Sequence, residues 1–206
     1  LYTIMVDEAY HAYVAFDSML QIQEFTQIEP LPLPKTIEIE LAIKWAHEQL
    51  PQECHGIFDL IAVCLAENTL TKEIVSFVNQ EGTHHFFTKM LEDHLADESR
   101  HCGIFFNLLG FIWKELDHAM KKKIAAILPE YLTRYLGLVV EMEFDRKVLI
   151  SLEIPEDQAN KMLDEVYGHF KLTKENPKLK NILLQLHRSG VIDEITSPYF
   201  KEKNWI

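Results

Sequence analysis

Three residues of types that bind transition metals lie close together in the middle of the chain. They are His94, Glu98 and His101, in the stretch H-L-A-D-E-S-R-H. Spacings of four and three residues place the three side chains on one face of a helix. The same face continues on both sides with apolar residues, which are Phe87, Leu91, Phe105, Leu108 and Ile112. Two imidazoles and a carboxylate thus interrupt a stripe that is otherwise typical of a buried helix face.

Such an interruption is costly unless something compensates it. An ionised carboxylate in an apolar helix interface costs several kcal/mol when it has no partner. A multivalent cation bound by Glu98 and the two histidines would remove that cost. The alternative, judged from this helix alone, is a face that turns outwards and leaves three solvated polar side chains.

A second motif of the same kind lies near the start of the chain. Glu8 and His11 repeat the Glu-x-x-His spacing, and each motif is preceded by an aspartate, Asp7 or Asp97. A metal-bound histidine usually donates its other ring N–H to a carboxylate. We therefore expect crosswise pairs, Asp7 with His101 and Asp97 with His11. The alternative for either aspartate is a solvated flank.

A lone glutamate, Glu67, interrupts the apolar stripe of a further expected helix between the two motifs. A Glu-x-x-His on each of two helices, with a glutamate from each of two others, forms the di-iron or di-manganese site of ferritin-like bundles. Carboxylates bridge hard cations, and neutral imidazole suits iron. The combination predicts a dinuclear metal site in the core of an all-α, ferritin-like helical bundle with additional C-terminal helices.

Composition agrees with this class and excludes others. The chain has 206 residues, 48% of them hydrophobic, and only 7 glycines, and long helical periodicity dominates it. The net charge of -12 argues against nucleic acid or an anionic membrane surface as a partner. Three isolated cysteines without a C-x-x-C pair indicate reduced thiols and a cytoplasmic protein. No apolar run approaches the length of a membrane-spanning helix.

Periodicity and helix-end signals predict the organisation of the chain. We expect a single domain over 1–206, with a core bundle at about 1–118, further helices at about 119–190 and an irregular tail at 191–206. Thr36 is expected to cap a helix, and Gly190 to close one. Pro129 is expected to break or kink a helical run that extends from about 119 to 152.

His94 distinguishes this chain from most bundle di-metal proteins, which use one histidine per metal. With H-x3-E-x2-H on one helix, the chain resembles the p-aminobenzoate N-oxygenase (AurF-like) family of di-iron oxygenases. The resemblance covers about residues 1–105. It implies six metal ligands, which are Glu8, His11, Glu67, His94, Glu98 and His101.

The resemblance also implies an activity. A diferrous centre would activate dioxygen through a peroxo-bridged diferric intermediate and oxygenate an aromatic amine, with electrons from a reductase or another external donor. Two iron ions are the expected cofactor, with manganese as an alternative. A homodimer is compatible with this interpretation. Hydroxylation or desaturation of C–H bonds at the same centre is a second hypothesis, and ferritin-like iron storage or detoxification is a third. His94 argues against storage, and so does the connection over 29–35, which has prolines at 30, 32 and 34.

One ligand of the family has no counterpart here. In the family a further glutamate lies well upstream of the first Glu-x-x-His, and nothing precedes Leu1 to supply it. We expect that an N-terminal portion of the native protein is missing from this sequence. Otherwise Glu24 or Glu40 takes the place of that glutamate. No pattern in the sequence identifies the substrate pocket.

Overall fold

The computed structural model describes residues 2–67, 69 and 85–206, and these residues form α-helices without any β-strand. The expected all-α class is therefore confirmed. The helices, labelled in chain order, are α1 (Tyr2–Thr26), α2 (Glu38–Gln49), α3 (His55–Ala66), α4 (His85–Glu115), α5 (His118–Tyr135), α6 (Val139–Ser151), α7 (Glu156–Tyr167), α8 (Pro177–Arg188) and α9 (Ser197–Glu202). A short 3-10 turn, Gln52–Cys54, leads into α3.

The hydrophobic core lies between α2, α3, α4, α5, α8 and α9. Helix α2 packs against α5, α3 against α4, and α9 against α5. The largest fully buried side chains come from several helices and include Phe58, Ile61, Leu65, Leu109, Leu128, Tyr131, Ile182, Leu186 and Phe200. The C-terminal helices thus belong to the same core as the helices that carry the metal-binding motifs.

Helix α1 is covered less completely than its sequence suggested. Its expected inward stripe was Ile4, Glu8, His11, Ala15, Met19 and Ile22. Ile4 is buried, but Glu8, Ala15 and Ile22 are exposed. The described part of the structure packs α1 mainly against α4, so only one side of the stripe is covered.

The helical run after residue 118 breaks at a different place from the one expected. Pro129 lies inside α5, and the chain leaves the helix at Leu136 instead. A proline in a helix interior removes one backbone hydrogen bond and costs about 3 kcal/mol. Burial of Leu128 and Leu132 on either side offsets that loss. Gly137 then lies in the turn before α6.

The final sixteen residues are not an irregular tail, contrary to expectation. They contain α9, and Phe200 and Trp205 are buried in the core. The Asp193 carboxylate accepts hydrogen bonds from the backbone amides of Ile195 and Thr196, which orders the turn before the helix. The short segment was not recognised because its helix has only six residues and draws its stability from tertiary packing.

Two helix ends show how local sequence sets the boundaries. The helix expected to be capped by Thr36 begins after Ile37, whose amide donates to the Glu40 carboxylate. At the end of α8, Gly190 has φ 76° and forms the expected C-terminal stop. The amide of Val191 donates to the Leu186 carbonyl there, as in a Schellman motif.

Candidate metal centre

Helices α1 and α4 lie antiparallel, and two crosswise hydrogen bonds join them. His11 Nε2 donates to Asp97 Oδ2 at 3.1 Å, and His101 Nε2 donates to Asp7 Oδ2 at 3.1 Å. Both pairs are those expected from the repeated D-E-x-x-H pattern. With Nε2 engaged by an aspartate, each ring presents Nδ1 to the glutamates between the helices. Arg100 also holds Asp97, at 2.5 Å.

The first cluster of candidate ligands consists of His11, His94 and Glu98, with ligand atoms all within 4.8 Å of one another. His94 Nε2 donates to Glu98 Oε1 at 3.0 Å, and His11 Nδ1 lies 3.7 Å from the same oxygen. The two imidazole rings are 3.9 Å apart between centroids. Two nitrogen donors and one carboxylate oxygen therefore converge on one point.

The second cluster consists of Glu8, Glu67, Glu98 and His101, within the same limit of 4.8 Å. His101 Nδ1 lies 3.1 Å from Glu8 Oε1, 3.6 Å from Glu67 Oε2 and 3.7 Å from Glu98 Oε2. Glu98 thus directs one oxygen to each cluster. Glu8 also lies between them, since its Oε1 is 3.8 Å from His11 Nδ1.

Three buried atoms of these clusters lack a hydrogen-bond partner: His11 Nδ1, His101 Nδ1 and Glu67 Oε2. A buried polar atom left without a partner costs about 1–3 kcal/mol. Each lies close to another candidate ligand atom: His11 Nδ1 is 3.7 Å from Glu98 Oε1, and His101 Nδ1 is 3.6 Å from Glu67 Oε2. Imidazole nitrogen together with carboxylate oxygen suits iron, manganese or zinc. The residues present therefore fit a pair of transition-metal ions.

The electrostatics of the cluster lead to the same conclusion. Burial, and then the negative charges of Glu98 and Glu8, raise the pKa of Glu67 to about 7. Burial alone would also raise the pKa of Glu98, but the hydrogen bond and positive charge of His94 lower it overall. The hydrogen bond to Glu98 raises the pKa of His94 in turn. In the absence of metal, bound protons thus offset part of the negative charge of the carboxylates. Divalent cations would replace those protons.

The structure brings all six predicted ligands together, but their side chains are buried to different extents. The exposed fraction of the side chain is 2% for His101, 9% for Glu98 and 46% for Glu8. Glu8 therefore lies at the edge of the site and not in an apolar core. Neither substitute for the upstream glutamate belongs to a cluster: the Glu40 carboxylate accepts from the Ile37 amide, and Glu24 lies more than four helical turns from Glu8 on α1.

Glu67 is held at the site by contacts that the sequence did not indicate. Helix α3 ends at Ala66, and Glu67 is the residue at its C-terminal cap. Cys102 donates to the Glu67 carbonyl, Gln185 to the Cys64 carbonyl, and the Thr69 hydroxyl to the Ala66 carbonyl. A helix was expected over about 53–79, with Glu67 inside it. The observed helix begins at His55 and ends at Ala66, so Glu67 follows the helix, and the expected part over 70–79 lies outside the described residues.

Two cavities border the clusters. The first, of about 480 Å³, is a groove between α1 and α4 that we call the α1–α4 groove; its lining includes Glu8, Tyr10, His11, Lys89, Met90, His94 and Asp97. The second, of about 440 Å³, we call the carboxylate-side cavity; its lining includes Glu8, Glu38, Glu67, His94, Glu98, Tyr135, Glu141 and Lys178. No periodicity in the sequence singles out Glu38, Tyr135 or Lys178, because they come from three different helices.

No helix in the described part of the chain combines the length and apolar character needed to cross a membrane. The described residues therefore offer no candidate for a transmembrane segment.

Comparison with known proteins adds an independent observation. A family model described as P-aminobenzoate N-oxygenase AurF matches residues 1–172. No curated protein and no solved structure matches the chain. The match includes both clusters and extends well beyond residue 105, where the resemblance in the sequence had ended. It agrees with a ferritin-like bundle and a di-iron oxygenase, and on this evidence the chain belongs to the p-aminobenzoate N-oxygenase AurF family.

Proposed function

We propose that the two clusters bind two iron ions and that the protein oxygenates the nitrogen of an aromatic amine. The observation that carries the proposal is the position of Glu98, which directs one carboxylate oxygen into each cluster. A carboxylate in that position would bind two metal ions, as in the dinuclear sites of ferritin-like bundles. Membership of the family supports the amine as substrate and dioxygen as oxidant.

Each side chain has a defined role in this proposal. His11, His94 and Glu98 hold one metal, and Glu67, Glu98 and His101 hold the other. Glu8 and Glu98 lie between the two positions, and their carboxylates would be able to bind both ions. Asp7 and Asp97 accept the Nε2 protons of His101 and His11, which fixes each imidazole with Nδ1 directed at a metal.

The bound iron would supply dioxygen activation, which no side chain in the site can perform. Converting an amine to a hydroxylamine places one oxygen atom of dioxygen on nitrogen and reduces the other to water. That reaction consumes two electrons and two protons, so we propose an external electron donor. The three cysteines form no disulfide, which supports a cytoplasmic location where such donors are present.

The test is to load the purified protein with ferrous iron without oxygen, then add ¹⁸O₂ and an aniline. We expect roughly two irons per chain and a hydroxylamine or nitro product that carries ¹⁸O. A zinc-only preparation that resists exchange for iron, or a loaded protein that leaves the aniline unchanged, would contradict the proposal. Products oxidised only at carbon would favour the hydroxylase or desaturase hypothesis. A cage-sized assembly that accumulates ferric mineral would favour storage.

A further inference from the structure

The connection between α7 and α8 differs in charge from the protein as a whole. We call residues 169–180, which include the first residues of α8, the basic segment. It contains one acid, Glu175, and four lysines, so its net charge is +3; the lysines are Lys171, Lys174, Lys178 and Lys180. The whole chain has a net charge of -12. An acidic macromolecule is therefore repelled by the chain as a whole and attracted to this segment.

The positive charges of the basic segment are not neutralised by neighbouring side chains. Among the described residues, lysines form ion pairs at Lys89, Lys123 and Lys203, and none of the lysines of the basic segment does so. Three of its four lysines are exposed, and Lys178 is half-buried. Their ammonium groups are therefore available to the carboxylates of a partner.

Hydrogen bonds order the turn through which the basic segment enters α8. The amide of Asn176 donates to the Thr173 carbonyl at 2.9 Å, and the Asn176 side chain caps the helix by accepting from the Leu179 amide at 3.2 Å. The N-terminus of a helix carries partial positive charge, which adds to that of the lysines. Phe170 is exposed in the same segment. An apolar group surrounded by charges is typical of a protein–protein interface.

The basic segment lies beside the proposed metal positions. Lys178 lines the carboxylate-side cavity together with Glu67 and Glu98. Helix α8, which begins in the segment, also contacts the end of α3, because Gln185 donates to the Cys64 carbonyl at 2.9 Å. A protein bound at the basic segment would therefore approach the metal ligands from the side of α8.

The electrons that the proposed reaction consumes indicate what kind of partner this position suits. Each oxygen atom transferred needs two electrons, and a small iron–sulfur carrier delivers one. Two reduced carriers must therefore bind and leave in turn. Such short-lived complexes have small interfaces and depend on complementary charge for fast association. An unpaired basic segment beside the metal positions of an acidic protein meets both requirements.

We infer that the basic segment is the docking surface for a small acidic electron-carrier protein. The inference rests on the proposed function for the need for electrons. Two reduced carriers would each give up one electron, and together they would return two ferric ions to the ferrous state without breaking a covalent bond. The family match ends at residue 172, so it does not cover Lys174, Lys178 or Lys180.

The test measures binding of an acidic [2Fe–2S] ferredoxin to the full chain by surface plasmon resonance, both metal-free and loaded with redox-inactive zinc. We expect the affinity to fall as the ionic strength rises to ~0.15 M. The double variant Lys171→Glu, Lys174→Glu should reduce the affinity roughly 10-fold or more, mainly through slower association. A carbodiimide, which joins ammonium groups to carboxylates in contact with them, should crosslink the ferredoxin to lysines of the basic segment in the wild type.

The matched control is Lys114→Glu, Lys122→Glu, which changes the net charge equally at two exposed lysines of α4 and α5. An equal loss of affinity in the control would overturn the inference, because only net charge would then matter. So would crosslinks confined to other lysines, no binding at low ionic strength, or tighter binding of the segment to anionic lipid vesicles than to ferredoxin.

These outcomes are independent of the oxygenation reaction. Ferredoxin that binds the basic segment of a loaded protein unable to oxidise aniline, even with a chemical reductant, would refute the proposed function alone. Oxidation of aniline with a chemical reductant by a protein that binds no ferredoxin would refute the docking surface alone.

Discussion

Glu98 contributes one carboxylate oxygen to each proposed metal position, whereas Glu67 contributes to only one. We expect Glu98→Gln to reduce the bound metal from roughly two ions per chain to less than one, because each cluster loses a charged oxygen. Glu67→Gln should leave about one ion, held in the first cluster. Metal analysis after dialysis against a weak chelator separates these cases. Two ions retained by Glu98→Gln would refute its bridging position.

His94 is half-buried and belongs only to the first cluster. His94→Ala should therefore preserve the fold and weaken only the metal held with His11. We expect that ion to dissociate roughly 10-fold or more faster in competition with a chelator, since one of its few protein ligands is lost. His85→Ala provides the control, because His85 is an exposed histidine on the same helix. Identical metal release from the two variants would exclude His94 as a ligand.

At the scale of helices, α8 supports the end of α3 that carries Glu67. Gln185 is buried, and its side-chain amide donates to the Cys64 carbonyl at 2.9 Å. Gln185→Ala removes this buried hydrogen bond, so we expect a loss of about 0.5–1.5 kcal/mol in the free energy of unfolding. Urea denaturation measures the change, with Gln158→Ala on the exposed face of α7 as the control. Equal stability of the two variants would show that this hydrogen bond does not stabilise the helix end.

Some of the helices and helix contacts could be predicted from the sequence, and others could not. The crosswise pairing of α1 and α4 was predictable because Glu8, His11, Glu98 and His101 follow helical spacing within single helices. The helix through Pro129 was not, because burial by other helices outweighs the local cost of proline. Helix α9 was not predicted either, because this short helix also draws its stability from packing against other helices. Gln185 and Lys178 reach the site only because α8 packs beside the end of α3. No local sequence pattern predicts a contact between segments so far apart in the chain.

For the molecule as a whole, the metal-free site makes stability depend on pH. The pKa of Glu67 is raised to about 7, so the folded protein keeps a proton that the unfolded chain has already released. Stability contributed by that proton declines as pH rises from about 4.5 to 7. The raised pKa values of His94 and His101 act in the same direction above their usual range. Glu98, with a lowered pKa, contributes stability that is lost only in acid.

We therefore expect the metal-free protein to unfold at a lower urea concentration at about pH 8 than at about pH 6. Added ferrous or manganous ions should reverse this trend, because metals displace protons from their ligands and bind more tightly as pH rises. Unfolding with a chelator and with metal at both pH values tests the prediction. Metal-free protein that gains stability between pH 6 and 8 would contradict it.

The crosswise hydrogen bonds between α1 and α4 give the site an approximate two-fold axis. Rotation about that axis exchanges Asp7 with Asp97, Glu8 with Glu98, and His11 with His101. The symmetry does not extend to His94, because the residue of α1 that corresponds to it is Ile4, which is buried. One metal would thus have two imidazoles and the other only one. This difference between the two motifs would make the two ions chemically unequal, so their redox potentials would differ.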